Sequence, residues 1–351
     1  MGDEFRDFTL AAVQAAPVYL DREASIEKAC RLIAEAGARG SDLAVFGETW
    51  VSGYAAFAER PGNQKMGDVL KKFILNGVEV PSPATDALCL AARAAGTDVV
   101  IGVAERDSTT GGSIYATLLF IGREGVLLGK HRKLKPTFYE RAVWGEGDGS
   151  TLRLYDRPYG RLGGLNCWEH QMVLPGYALI AQGLQVHAGA WPGGTHTRQE
   201  VLSRAFAMQS AAYVVMAGGL LREEDIPADL RELVRPMNGH SGIIGPDGEM
   251  LAGPLLDEEG ILTATANLGT VMLQKMIADH AGHYTRPDVF EFRVNAAPKR
   301  VATFVGREEF PAAMKAALSD GIATGAIRNG TELAGAWQDV APDLAVTAGS
   351  G

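Results

Sequence analysis

Three kinds of residue in this chain could together run acyl-transfer chemistry. Each stands where an apolar run empties into a turn. Cys167 closes the run 160–166, Glu48 follows the run 42–46, and a lysine follows the run 126–130. A thiol attacks carbon as its thiolate, so it needs a base to take its proton. Glu48 is the candidate general base. A cation, aided by the backbone N–H of Trp168, could hold the charge that develops on the substrate. The stretch KHRKLK offers Lys130, Lys133 and Lys135, and spacing alone does not separate them. Backbone N–H groups at the turn after Cys167 are expected to favour the thiolate.

Strands must bring these residues together, because open sheets gather their strand ends on one side. Residues 8–16 read as a buried strand. Asp21 is a candidate N-cap for a helix carrying Ile26, Ala29, Cys30 and Ile33 at helical spacing. The strand at 42–46 completes a βαβ-like start. Residues 51–80 read as irregular, with one or two helical turns. Ser82-Pro83 opens a helix that Gly96 stops. Strands follow at 98–104, 114–121 and 126–130, then a long polar loop over 130–150, the kind of loop that carries function.

Further strands are expected at 151–155, 160–166 and 184–190, with a helix at 172–182 between the last two. A helix at 195–212, a strand at 213–217, a hairpin over 240–253, a strand at 261–266 and a helix at 268–277 complete the pattern. Beyond about residue 295 strand patterning is lost. Residues 1–295 are therefore expected to form the enzyme domain. Residues 296–351 are expected to be a partly disordered tail that bears on oligomer assembly.

Composition narrows the function. The chain has 351 residues, 46% hydrophobic and 21% charged, which are ordinary globular values. A formal net charge of −9 disfavours nucleic acid or an anionic membrane as partner. No apolar run is long enough to span a bilayer. The N-terminus has acids where a signal peptide needs bases, and Arg6 breaks the myristoylation pattern. Three scattered cysteines make neither a disulfide framework nor a zinc site, so Cys30 and Cys89 read as core. A soluble, cytoplasmic protein is expected. No G-x-G-x-x-G follows the first strand and no phosphate-binding P-loop occurs, which leaves nucleotide folds unsupported. His280 and His283 lack a third ligand nearby and are expected to be structural or interfacial. Gly239-His240-Ser241-Gly242 lacks the second glycine of a serine elbow.

Three blocks carry a resemblance. FGETWVSGY, then HRKLKPT with ERAVWGEGDGS, then GGLNCWEH with QVHAGAWPG resemble the signature blocks of the nitrilase branch of the carbon–nitrogen hydrolase family, in the same order. The resemblance runs from about residue 8 to 295. It implies a Glu–Lys–Cys triad that maps to Glu48, Lys133 and Cys167, and so selects Lys133 among the lysines. It adds Glu140 as a second glutamate that helps hold substrate and lysine.

The implied fold is a four-layer α-β-β-α sandwich. The implied assembly is a homodimer through the helical face that extends into larger spiral oligomers. No metal or organic cofactor is implied. CWEH and WGEGDGS resemble true nitrilases, which points to a small-molecule nitrile and water as reactants and to the carboxylic acid and ammonia as products. A histidine at the position of His170 also occurs in cyanide-degrading relatives. The alternatives are therefore a cyanide hydratase or dihydratase, an aliphatic amidase, or a catalytically silent filament-forming protein. Tyr54, Trp168 and Trp191 are candidates for the substrate pocket, since ligand pockets are rich in aromatic side chains.

Overall fold

The run FTLAAVQ shows no polar alternation because both of its faces are covered. It forms β1 (Phe8–Gln14). Leu10 and Ala12 face a second sheet, while Ala11 and Val13 face helices. The computed structural model describes residues 4–60, 62–194, 196–299 and 302.

Among those residues, the other strands of the first sheet are β2 (Leu43–Val45), β3 (Asp98–Arg106), β4 (Ile114–Gly122), β5 (Val126–Arg132) and β13 (Gly260–Ala266), in the order β13-β1-β2-β3-β4-β5. β1, β2 and β3 are parallel, and the remaining pairs are antiparallel. The second sheet runs β10 (Leu220–Leu221), β11 (Met237–Ile244), β9 (Tyr213–Gly218), β8 (Val186–Trp191), β7 (Gly160–Asn166), β6 (Tyr155–Arg157), with β12 (Met250–Leu256) on β11. Here β7, β8 and β9 are the parallel core.

The sheets pack face to face through Val45, Val100 and Phe120 from one side and Val186, Ala188 and Val215 from the other. α1 (Arg22–Ala38) and α3 (Pro83–Ala95) cover the first sheet through Ile26, Ile33 and Leu88. α4 (Val173–Ile180) and α5 (His196–Ser210) cover the second through Leu179, Phe206 and Ala207. The result is the expected α-β-β-α sandwich. Each buried aliphatic side chain of Leu or Val size contributes about 1.5–3 kcal/mol.

The local signals act as expected in several places. Asp21 accepts the N–H of Ala24 and caps α1. Gly96 ends α3 with φ +65°. Three expectations are corrected. Residues 51–80 contain α2 (Met66–Leu75), which buries Val69 and Phe73 at i, i+4. The strand expected at 151–155 starts only at Tyr155. Asp148 accepts the N–H of Ser150 and winds Gly149–Thr151 into a 3-10 turn instead. The strand expected to end at residue 130 runs to Arg132, so Lys133 is the first residue beyond it.

Residues Met1–Lys299 form one unit. The tail expected from residue 296 lies, except for 296–299 and 302, outside the described residues. No described helix is long and apolar enough to cross a membrane. α6 (Leu268–Ile277) follows β13.

Candidate active site

The two sheets meet at the ends of their parallel strands. β2 continues through Phe46, whose N–H donates to Val100 at 2.8 Å. Gly47 then passes so close to the second sheet that a Cβ there would lie 3.0 Å from the Gly219 nitrogen. The N–H of Glu48 donates to the carbonyl of Trp191, the last residue of β8, at 3.1 Å. Lys133 leaves β5 with its N–H on the Ala116 carbonyl at 2.8 Å, and Cys167 leaves β7 directly. Three strand ends thus deliver Glu48, Lys133 and Cys167 to one place.

The side chains meet there and are buried. Lys133 Nζ donates to Glu48 Oε1 and to Glu140 Oε2, each at 2.7 Å. The Cys167 sulfur and one carboxylate oxygen from each of Glu48 and Glu140 lie within 4.8 Å of one another. These are the groups that could ligate a metal, but Lys133 already meets both carboxylates as their cation. Glu140 is held by a T-x-x-E capping box, in which the Thr137 N–H donates to Oε2 at 2.7 Å. Tyr54 donates its hydroxyl to the other oxygen at 2.6 Å. Both oxygens of Glu140 are therefore engaged. Glu48 differs, because its Oε2 is buried and unpartnered. That oxygen is the open acceptor of the cluster.

Burial raises the Glu48 carboxyl to about 8, with Lys133 opposing and Glu140 adding to the rise. Burial works against the Lys133 charge, but Glu48, Cys167 and Glu140 hold the ammonium above the usual lysine range. Burial also pushes the Cys167 thiol well above its ordinary value, and neither Lys133 nor the Trp168 N–H overcomes this. The Trp168 N–H favours the thiolate as expected, but burial outweighs it. Desolvation at a closed site outweighs a few N–H dipoles, so proton removal must be coupled to attack. Cys167 sits in the left-handed region at φ +50°, a conformation that non-glycine residues rarely hold without support.

Two supports come from the residues that follow. Glu169 is buried and accepts the N–H of Asn166 at 2.8 Å and of Leu134 at 2.8 Å. His131 Nε2 lies 3.1 Å from both of its oxygens. One carboxylate thus ties the neighbour of Lys133 to the neighbour of Cys167. Burial raises its pKa, but His131 and the two N–H groups hold it below the ordinary value. His170 reaches back to the Cys167 carbonyl and onward to His187. Neither role was read from the sequence. The N-x-x-E spacing of Asn166 and Glu169 repeats the capping pattern of Thr137 and Glu140, and was the available signal.

A cavity of about 460 Å³ opens over Cys167 and Glu140, with Tyr54, Phe138 and Trp168 on its walls. Tyr54 and Trp168 line this cavity. Trp191 does not. It is fully buried in the core of the second sheet, stacked on His170 at 4.9 Å with its indole N–H on Ser203. Its contribution to the site is its carbonyl, which receives the Glu48 N–H. Trp144 was not singled out, yet its ring lies 5.7 Å from Lys133 Nζ and packs edge-on to Tyr54. His283 packs against Tyr284, away from this cluster. Cys89 is buried and Cys30 half-buried against the α1–α3 core, and both are free thiols.

A buried thiol, an open carboxylate oxygen and a fixed ammonium gathered at three strand ends define a thiol hydrolase site on a four-layer sandwich. The family model for carbon-nitrogen hydrolases matches residues 9–275, and the chain belongs to this family. It falls in the nitrilase branch. It is 50% identical over 303 residues to "Nitrilase 2" from an unknown prokaryotic organism, covering 86% of this chain and 96% of that one. It is 39% identical over 306 residues to the "Aliphatic nitrilase" of Rhodococcus rhodochrous, covering 82% of each. Among solved structures, Nit3 of Saccharomyces cerevisiae, a member of branch 10 of the nitrilase superfamily, superposes with a TM-score of 0.66. That match covers 80% of this chain and 97% of the other at 20% identity, and supports the fold alone.

Proposed function

We propose that this enzyme hydrolyses an organic nitrile to the carboxylic acid and ammonia, with Cys167 as nucleophile. The observation that carries the reading is the buried, unpartnered Oε2 of Glu48 in the same cluster as the Cys167 sulfur. The relatives named nitrilases support the choice of nitrile.

Glu48 takes the thiol proton as the sulfur adds to the nitrile carbon. The released π pair goes to nitrogen, which takes that proton and gives a thioimidate. Water adds next, its proton passing to Glu48 and then to nitrogen. The hydroxyl proton then passes through Glu48 to the amine, the carbon–nitrogen bond breaks as the C=O forms, ammonia leaves and a thioester remains. A second water, activated by Glu48, releases the acid and restores the thiol. Two waters are consumed per nitrile. Lys133 holds the charge on the tetrahedral species, with the Trp168 N–H assisting. Glu140 keeps Lys133 aimed, and Tyr54 and Trp168 form pocket walls. If sulfur leaves before ammonia, the product is the amide.

The test is a nitrile panel with acid, amide and ammonia measured separately. Cys167→Ala is expected to abolish all three products. Turnover of amides with none of nitriles would overturn the reading.

We also propose that the enzyme works in the cytoplasm as a homodimer that extends into larger spiral oligomers. The exposed apolar side chains Met272, Met276 and Ile277 of α6, with Val173 and Leu174 of α4, support a helical contact face. On this proposal residues 1–295 form the catalytic domain and 296–351 influence assembly. Removing the segment after Asn295 is then expected to change the size profile in solution, and an unchanged profile would refute the role. Cell fractionation tests the location.

A further inference from the structure

The cavity over Cys167 is lined by a cation that the chemistry above does not use. Arg198 is exposed on the first turns of α5 and lines the same 460 Å³ space. Its guanidinium lies over the Trp168 ring at 5.2 Å. The other charges around the cavity are paired. Arg235 grips Glu59 with two hydrogen bonds, at 2.8 and 3.0 Å. Glu140 is taken up by Lys133, Thr137 and Tyr54. Among the described residues no carboxylate meets Arg198, and its recorded contact is the indole. One guanidinium on the cavity wall is thus left without a carboxylate partner among the described residues.

Much of the remaining cavity wall is aromatic. Phe138 and Tyr139 are 64% and 39% exposed, large values for such side chains, and their ring centroids lie 4.0 Å apart with the planes tilted by 54°. Tyr54 and Trp168 line the same space. Apolar rings exposed inside a concave site favour a flat apolar ligand body. A free guanidinium matches a carboxylate in fork geometry.

We infer that the preferred substrate is an aryl or arylalkyl nitrile bearing an anionic group, its nitrile on Cys167, its ring between the aromatic walls and its carboxylate on Arg198. This rests on the nitrile reading above. The chain's formal net charge of −9 gives an anion no long-range attraction. The preference is therefore a local contact and belongs in KM, and it weakens as salt rises.

The full chain is assayed on 4-(cyanomethyl)benzoate and on 4-nitrophenylacetonitrile, a neutral isostere. The wild type favours the carboxylate in kcat/KM. Arg198→Gln lowers the carboxylate-to-nitro ratio about tenfold, mostly through KM, and Arg198→Glu lowers it further, as for loss of one charge-assisted contact near solvent. Arg198→Lys retains most of the ratio. Turnover of the nitro compound with no advantage for the carboxylate, or a ratio unmoved in both Arg198→Gln and Arg198→Glu, overturns the inference while leaving the nitrile reading intact. If the wild type turns over neither compound nor any other nitrile, the nitrile reading itself fails and takes this inference with it.

Discussion

His170 Nδ1 lies 2.7 Å from the main-chain oxygen of Cys167. A carbonyl only accepts, so the proton is on Nδ1. Nε2 is then bare and accepts from His187 Nε2, 2.9 Å away. That leaves His187 Nδ1 without a proton, and it is indeed a buried atom with no partner. Burial lowers His170 to about 4 and His187 well below its ordinary value, so both rings are neutral at working pH. The chain His187 to His170 to Cys167 steadies a nucleophile whose φ of +50° is costly.

Removing that donor is expected to loosen the nucleophile. His170→Phe keeps the stack on Trp191 and loses the hydrogen bond, and kcat is expected to fall about tenfold with KM nearly unchanged, about 1.4 kcal/mol. His170→Asn places an amide N–H near the Nδ1 position and is expected to recover most of the loss. Steady-state kinetics and the rate of Cys167 alkylation read both effects. Equal losses in the two variants would show that packing, not the donor, matters.

The pH profile tests the open oxygen of Glu48. Its carboxyl is raised to about 8 by burial, with Glu140 raising it and Lys133 lowering it. A general base acts unprotonated, so kcat/KM is expected to rise through an acidic limb centred near that value. Glu140→Gln removes a negative neighbour, which lowers the Glu48 pKa and moves the limb to lower pH, whatever happens to the maximum. Lys133→Met removes the opposing cation and moves it up. A limb that stayed in place in both variants would mean that another group titrates.

Glu48 and Cys167 were legible as candidates because residue type at a strand end is a local property, whereas spacing left Lys130, Lys133 and Lys135 open and only the resemblance selected Lys133. Buried strands such as β1 and β9 were legible as apolar runs, but the four-layer arrangement came from the resemblance, since pairing between distant strands leaves no local pattern. Charge state was less legible. Whether N–H dipoles or burial decide the Cys167 thiol depends on how completely the site closes, which no spacing records. Trp191 was misplaced because an aromatic next to a turn reads alike as wall or core. Only the contact with His170 and Ser203 decides it. Glu169 was overlooked although Asn166 stands three residues before it, because its other partners lie 35 and 38 residues away in sequence.

Glu169 supplies a prediction of its own. Its two oxygens accept from Asn166, Leu134 and His131, and all but the half-buried Leu134 are buried. Glu169→Gln replaces one acceptor by an NH₂ that must face a donor. Such a change costs about 1.5–3 kcal/mol for a hydrogen bond involving a charged group. Thermal melting is expected to drop by several degrees. Because the carboxylate ties the flank of Lys133 to that of Cys167, kcat is also expected to fall more than KM changes. A destabilised variant with unchanged kcat would reduce Glu169 to a purely structural strut.

Gly102, in β3, reaches the site without touching it. A Cβ there would lie 2.3 Å from both the Gly47 oxygen and the Thr49 nitrogen, and 2.8 Å from the Glu48 carbonyl carbon. Those atoms belong to the segment that carries Glu48. The segment has little room to yield, since the Glu48 N–H is bonded to Trp191 and the Val51 N–H to Gly102 itself at 3.0 Å. Gly102→Ala therefore forces either strain or a shift of Glu48. Overpacking of this kind costs about 1–3 kcal/mol, which a chain of this size can survive. A displacement of about 1 Å at the base costs on the order of 100-fold in rate. The variant is expected to fold, as circular dichroism would show, and to lose most of its kcat. Gly112→Ala, where a Cβ meets open space, is the matched control and is expected to be silent. If Gly102→Ala kept full activity, the backbone behind Glu48 would be more compliant than its hydrogen bonds imply, and the tight fit between β3 and the Glu48 turn would not be what fixes the base.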